Sequence, residues 1–451
     1  MPSNGALTEL ARDIVRRAQA AGAAGAECTI AEGDEFTANV RMREIENLKE
    51  AGSRGAGLRI LIGRRTGASY TSDLSAEGVE TLVKSAIELA EVTTEDPHAG
   101  LPEPEEMGAI PGDLALYSAD VEALETPFRI DAAKRAEAAA LDADPRISNS
   151  EGASFDSHVG RRIFANSLGF AGEYRTSYCS LSVVPVARDG ESMERDYWHT
   201  IARGFAGLEA PEEVGRIAAR RALRRLHPVK VDTQRVPVVF EPRAARTLLD
   251  NIFEAVHGMS IYRHESFLAG KLGQKVASEN LTVIDDGTLP GLFGTSPFDD
   301  EGVPSRRTAV IERGVLKSYL LNSYAARKLG MKTTGNAARG LAGNAGIGHG
   351  NFYAEKGVQT PEEILAGVAD GFYVTELMGF GVNIVTGDYS RGATGLWIRH
   401  GELAFPVSEV TIAGNLKDML LGLEAAGSDL EFRGSVAAPT IKIGEMTVGG
   451  K

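Results

Sequence analysis

Apolar residues at Leu7, Leu10, Ala11, Ile14, Val15 and Ala18 recur every three to four positions, the spacing that lays one face of a helix on a core. Gly22 and Gly25 punctuate its end. The pattern then changes period. "AECTIAEGDEFTANVRMREIENLKEAG" and "GAGLRILIGRRTGASYTS" read as strands, with Leu58, Ile60 and Ile62 alternating onto one buried face. Helical spacing returns at Val79, Leu82, Val83, Ala86, Ile87 and Ala90, with Ser75 placed to cap the start.

Residues 94–112, "TEDPHAGLPEPEEMGAIPG", are rich in Pro, Gly and Glu and read as a linker or an exposed connection. A second series follows. "PFRIDAAKRAEAAALDAD" is a helix begun by Pro127, the stretch from Arg146 to Phe205 reads as antiparallel strands with glycine turns, and "APEEVGRIAARRALRRL" closes as a helix. Tyr70 and Phe205 stand at the same distance before Val79 and Val214. Leu82 and Val83 in one helix match Ile217 and Ala218 in the other, the pattern of an internal duplication. The bland alternative is that any two amphipathic helices look alike.

Beyond "LHPVKVDTQ" the character shifts. The strand "VPVVFE" and a helix from about Pro242 to Val256 lead into a strand-rich, glycine-rich half, with little helix except near 315–330, 361–370 and 415–425. The expected fold class is α+β, a duplicated helix-strand N-terminal region followed by a β-rich C-terminal domain. The expected parts are 1–93, a linker at 94–112, 113–229 and 230–451.

Composition narrows the chemistry. The chain has 451 residues, a net charge of -14 and 52 glycines. Such a charge disfavours nucleic acid as a partner, because phosphate binding needs a basic surface. Arg216, Arg220, Arg221, Arg224 and Arg225 are local exceptions and read as a solvated helix face. The two cysteines, Cys28 and Cys179, sit in apolar or strand-like contexts and read as buried free thiols, which fits a cytoplasmic location. The first residues lack the apolar core of a signal peptide, and no apolar run is long enough to span a membrane.

His264-Glu265 begins like a helical zinc-protease motif. Such a helix needs a second histidine four or five positions after the first, so that both imidazoles face one ion. Those positions hold Leu268 and Ala269. His257 and His264 are seven residues apart; on a helix that is a rise of about 10.5 Å, too far for one zinc. Glu254 and His257 form one Glu-x-x-His step, whereas a carboxylate-bridged di-iron site needs two on facing helices. Asp299, Asp300 and Glu301 could gather a hard cation, but their contiguous spacing fits better a turn that pairs with Arg306 and Arg307. "TTGNAARGLAGNAGIGHGN" lacks the ending of a phosphate loop, and no G-x-S-x-G elbow is present. No residue is assigned to catalysis or to a metal.

"FLAGKLGQKVASENLTVIDDG", "PFDDEGVPSRRTAVIERGVLKSYLLNSYAARKLG", "TTGNAARG", "GFYVTELMGFGVNIVTGDYSRGATGLWIRHGE" and "PVSEVTIAGNLKDML" stand in one order across the C-terminal half. Together they resemble the TldD/PmbA family. The resemblance implies zinc-dependent proteolysis by two related subunits. In the TldD type, His-Glu-x-x-x-His and a distant cysteine hold the zinc. Here the second histidine is missing and both cysteines lie in the N-terminal half, so the chain resembles the PmbA type, also called TldE. That implies no zinc on this chain, zinc on a TldD-type partner, and a homodimer or heterodimer enclosing a cavity for unfolded peptide. No nucleic acid or membrane partner is expected. Asp299, Asp300 and Glu301 are expected to order a turn near that cavity, and Asp388, Tyr389 and Ser390 after Gly387 to form a turn at the cavity or the dimer edge; both sets are substrate-shaping or structural. The alternatives are a self-sufficient hydrolase with an unrecognised site and a peptide-binding protein without catalysis.

Overall fold

The structure, a computed structural model, describes residues 5–451, and the counts below are of these described residues. The N-terminal half is one sheet backed by four longer helices. Helix α1 (Ala6–Ala20) leads to strands β1 (Gly25–Arg41), β2 (Glu44–Ile62) and β3 (Arg65–Thr71), then α2 (Ala76–Val92). The second series repeats this order with α3 (Thr126–Leu141), β4 (Ile147–Asn166), β5 (Ala171–Asp189), β6 (Ser192–Arg195), β7 (Trp198–Ala202) and α4 (Pro211–Leu223). Antiparallel pairing of β1 with β4 joins both series into one seven-stranded sheet, ordered β3-β2-β1-β4-β5-β6, with β7 also on β5. Ser75 caps α2 by accepting from the Gly78 N–H.

Strand alternation explains how the sheet is used. Cys28 and Ile30 on β1 and Ile163 and Ala165 on β4 pack with α1 and α2. Ala153 and Phe155, of the same parity on β4, pack with α3 and α4. Two helix-covered cores thus share one face of the sheet. The opposite face carries Glu27, Thr29 and Arg59, yet all three are buried. The cover is the C-terminal half, reached by the Glu27–Arg339 ion pair at 3.0 Å and by Arg59 donating to Asn344 at 2.8 Å, while Arg59 also pairs with Glu27 within the sheet. An alternation that would place polar residues in water here places them in an interior junction.

The C-terminal half begins with β8 (Gln234–Phe240), α5 (Pro242–Val256) and the short α6 (Gly258–Tyr262). Its larger sheet has six strands. β8 lies between β9 (Asp370–Met378), which it pairs in parallel, and β10 (Ile441–Gly449). A five-stranded sheet is built around Val283–Asp286. Both pack on α5 through Leu248, Leu249, Ile252 and Val256. The other helices of this half are short: Ser323–Leu329, Pro361–Ala366 and Leu416–Leu421.

The connecting 94–112 stretch is tied to the C-terminal half: Tyr324 donates to Asp96 at 2.7 Å, and Arg327 donates to the carbonyls of His98 and Leu101. One expectation needs correction: the arginine row at the end of α4 is not a solvated face throughout. Arg216 and Arg220 are exposed, but Arg221 pairs with Glu241 at 2.6 Å and Arg225 with Glu376 at 2.6 Å. These carboxylates belong to the C-terminal half, so the helix face is an internal ionic junction. Both cysteines are buried and free. Among the described residues no helix is long and apolar enough to cross a membrane.

Candidate functional site

The polar face of the sheet meets the C-terminal half at the Asp299–Glu301 turn. Asp299 accepts from the N–H groups of Glu301, Val303 and Ala337 at 2.9, 3.0 and 3.0 Å. Gly302 sits at φ +83°, and a Cβ there would stand 2.8 Å from the Phe164 ring, so the turn requires glycine. Burial, and then neighbouring Glu301, push the Asp299 pKa well above the usual carboxylate range, against those three donors. Asp300 turns outward to Arg162 at 2.6 Å and accepts from the Arg339 N–H at 2.6 Å. Glu301 accepts from the Ser323 N–H at 2.9 Å, and burial followed by Glu27 raises its pKa. The expected pairing of these acids with Arg306 and Arg307 does not occur, because Arg162 and Arg339 reach the turn instead and Arg307 pairs with Glu355.

Behind the turn, Glu27 is 1% exposed and held by two guanidiniums. Burial pushes its carboxyl up, but Arg339 and Arg59 more than offset that, leaving the pKa below the usual value. Arg59 also donates to Asn344 Oδ1 at 2.8 Å. Two openings flank the turn. One, of about 250 Å³, is lined by Arg59, Asp96, His257, Glu301, Tyr324 and Asn344. The other, of about 180 Å³, is lined by Asp285, Asp299, Asp300, Arg306, Asn336 and His349. In the second, Asp285 accepts from Asn336 Nδ2 and the Gly350 N–H, both at 2.7 Å, and burial pushes its pKa to about 6.

The structure moves the zinc question eleven residues upstream of His264 (264 − 253). His264 lies beyond α6 at φ 57°, and Glu265 is exposed beside Arg263. At the end of α5, however, Phe253, Glu254 and the cap residue His257 occupy the first, second and fifth positions of a His-Glu-x-x-His frame, although the helix stops at Val256. Phe253 offers no donor at the first ligand position. With the longer His-Glu-x-x-x-His spacing, the second ligand position is Gly258, where a Cβ would stand 2.5 Å from Leu321 Cδ2. Among the described residues no three His, Cys, Asp or Glu side chains gather closely enough to hold a metal. The residues on α5 do not fit a zinc in either spacing. The legible signal was the Glu254–His257 step, which is also the spacing of the base and second ligand in this frame.

The second turn lies elsewhere. Asp388 accepts from Thr386 Oγ1 at 2.7 Å and from Asn415 Nδ2 at 3.2 Å, hydrogen bonds that lower its pKa. Tyr389 is 1% exposed and its hydroxyl has no hydrogen-bond partner. Ser390 donates its N–H to Gly381 O, closing a hairpin that carries the fully exposed Phe380. Among the described residues no hydrogen bond or ion pair joins this turn to Asp299–Glu301. Glu27, Arg59, Arg162, Arg339, Asp285, Asn336, His349 and Phe253 were not singled out from sequence, since their roles depend on contacts between distant segments.

Three family models match the chain in order: PmbA/TldA metallopeptidase domain 1 over residues 26–90, the central domain over 119–226 and the C-terminal domain over 233–450. Metalloprotease PmbA of Escherichia coli O157:H7 is 39% identical over 428 residues, 95% of this chain and 92% of that protein. Among solved structures, a Bacteroides thetaiotaomicron protein described as a candidate modulator of DNA gyrase superposes with a TM-score of 0.92 at 28% identity, covering 100% of both chains. TldE from Thermococcus kodakarensis, at 22% identity, shares the fold with a TM-score of 0.88 over 98% of this chain and 100% of its own.

Proposed function

The chain belongs to the PmbA/TldD metallopeptidase family, and from that premise we propose that it is the subunit without a zinc, working beside a TldD-type partner that carries one. The observation that carries this reading is Phe253 at the first ligand position of the α5 frame, with Gly258 closed to any side chain. In the family's chemistry a metal activates the attacking water. Here Glu254 has no ion to work against.

The part left to this chain is to hold an unfolded peptide. β3 pairs with β2 only over Ala56–Ile62, so the outer edge of Glu44–Gly55 has no strand partner among the described residues. That edge leads toward Arg59 and the 250 Å³ opening. An extended peptide adds to such an edge by main-chain hydrogen bonds, with little demand on its side chains. Asp299, Asp300 and Glu301 order the wall of the opening. Asp388, Tyr389 and Ser390 shape the hairpin and take no part in the cleft. The assembly is a dimer, and the compartment is the cytoplasm, consistent with two buried free thiols.

Metal analysis together with light scattering tests this reading. The purified chain is expected to carry no stoichiometric zinc and to form a 1:1 complex with a TldD-type subunit. A zinc retained by this chain, or no association with such a partner, would reject it. A second reading, a self-sufficient hydrolase, draws on Asp285 and His349 in the 180 Å³ opening. Chelator-insensitive cleavage by the chain alone would select it.

A further inference from the structure

We propose that the opening of about 440 Å³ between the two helix pairs is a side-chain pocket for a lysine or arginine of the bound peptide, entered from the free edge of β2. The inference rests on the peptide-holding reading above and deepens it, since it names the class of side chain that the edge selects.

The two helix-covered cores do not meet. On β1, Cys28 and Ile30 pack with α1 and α2, whereas Val40 packs with α3 and α4. Glu32 and Asp34 share their parity, so they stand on the same face of the sheet, in the gap between the helix pairs. That gap is the opening, lined by Glu32, Asp34, Gly52, Arg54, Arg161 and Arg175.

The free edge is itself part of the wall. Gly52 and Arg54 belong to the stretch of β2 that has no strand partner on its outer side. Asp34 lies opposite Gly52 in the β1–β2 register, and a Cβ built at Gly52 would stand 3.1 Å from Asp34 Oδ1. With no side chain at 52, the carboxylate leans across β2 toward its edge. A peptide residue paired with Gly52 points to the same face, its Cβ about 5 Å from the Gly52 position. A long cationic side chain there meets the Asp34 carboxylate.

The charges already present leave that carboxylate free. Arg161 is engaged by Glu173 at 2.6 Å and lies 3.8 Å from Glu32, and Arg175 pairs with Glu122 at 2.9 Å. Among the described residues Asp34 has no ion pair and its side chain no hydrogen bond, although it lines the opening. Arg54 has none either, and it stands two residues along the same face of the edge, opposite Glu32. It therefore repels a second cation two places along the peptide and favours an acid there. The pocket selects by register: a cation opposite Gly52, and no cation opposite Arg54.

The test is the affinity of the full chain for three short dye-labelled peptides of Gly, Ser and Thr, alike except for a central lysine, norleucine or glutamate, read by fluorescence anisotropy. The lysine peptide is expected to bind about fivefold tighter than the norleucine peptide, an advantage that salt weakens. Asp34→Asn is expected to remove the advantage, and Asp34→Lys to pass it to the glutamate peptide. Circular dichroism checks the fold. Gly52→Lys is an independent variant, which places the chain's own ammonium beside Asp34 and is expected to remove the lysine preference too. Peptides that bind without distinction, or a lysine preference that survives these substitutions, would overturn this inference and leave the peptide-holding reading standing. If none of the three peptides binds, that reading fails and takes this inference with it.

Discussion

Two turns, Asp299–Glu301 with three carboxylates and Asp388–Ser390 with one, carry the same expectation of shaping a cavity, and the folded chain treats them oppositely. The first is buried, and its three carboxylates face three directions: into the turn, across to Arg162 on the sheet, and to the Ser323 N–H. The second closes a hairpin on itself through Thr386 and Asn415, with Asp388 in water. Sequence position alone does not separate them. What separates them is whether another part of the chain folds over the turn, and only the first lies against the polar face of the N-terminal sheet.

The sharpest way to break this comparison is Asp299→Ala. It strips three buried N–H groups of their acceptor, and the expected loss is about 3–5 kcal/mol in urea unfolding. A loss no larger than that of an exposed turn residue would erase the distinction.

The two regions also differ in the sign of their pH response. Asp285, beside the first turn, has a folded pKa near 6, raised from 3.8 by burial. Between those values the folded state binds more protons than the unfolded one, so this group adds stability as pH falls from about 7 toward 4, by roughly 3 kcal/mol. Asp299 and Glu301 are raised and act in the same sense. Asp388 is lowered, so its contribution is present above its unfolded value and is lost as pH falls through its folded one. Carboxyl ¹³C NMR is expected to place the Asp285 midpoint near 6 and the Asp388 midpoint below the ordinary aspartate value. Coincident midpoints would remove the contrast.

Tyr389→Phe removes a buried hydroxyl that has no partner, and is expected to be neutral or to stabilise by up to about 1 kcal/mol. A clear destabilisation would mean that the hydroxyl is satisfied in solution and the second turn better built than it looks. Asp388→Ala is expected to shift the thermal midpoint least of all, and association with a TldD-type partner is expected to stay unchanged.

Local periodicity carried most of the fold. The α1 and α2 stripes, the helix from Pro242 to Val256, the strand "VPVVFE" and the repeated helix-hairpin-helix order all stand in the structure. These depend on residues a few positions apart. Strand alternation also placed Glu27, Thr29 and Arg59 on one face, but nothing local says that this face is covered. The covering residues, Arg339 and Asn344, lie some three hundred positions away. The arginine row on α4 misled for the same reason, since Glu241 and Glu376 come from another layer. His264-Glu265 drew attention because it copies a motif's first two letters. Phe253-Glu254-Ala255-Val256-His257 hid because its first letter is changed, although the spacing is kept.

The division of labour is tested most directly by cleavage of one unstructured peptide, with and without chelator, by this chain, by a TldD-type partner, and by the two together. This chain alone is expected to cut nothing, and the mixture is expected to cut faster than the partner alone and to stop on chelation. Cleavage by this chain alone, in either condition, would contradict the account.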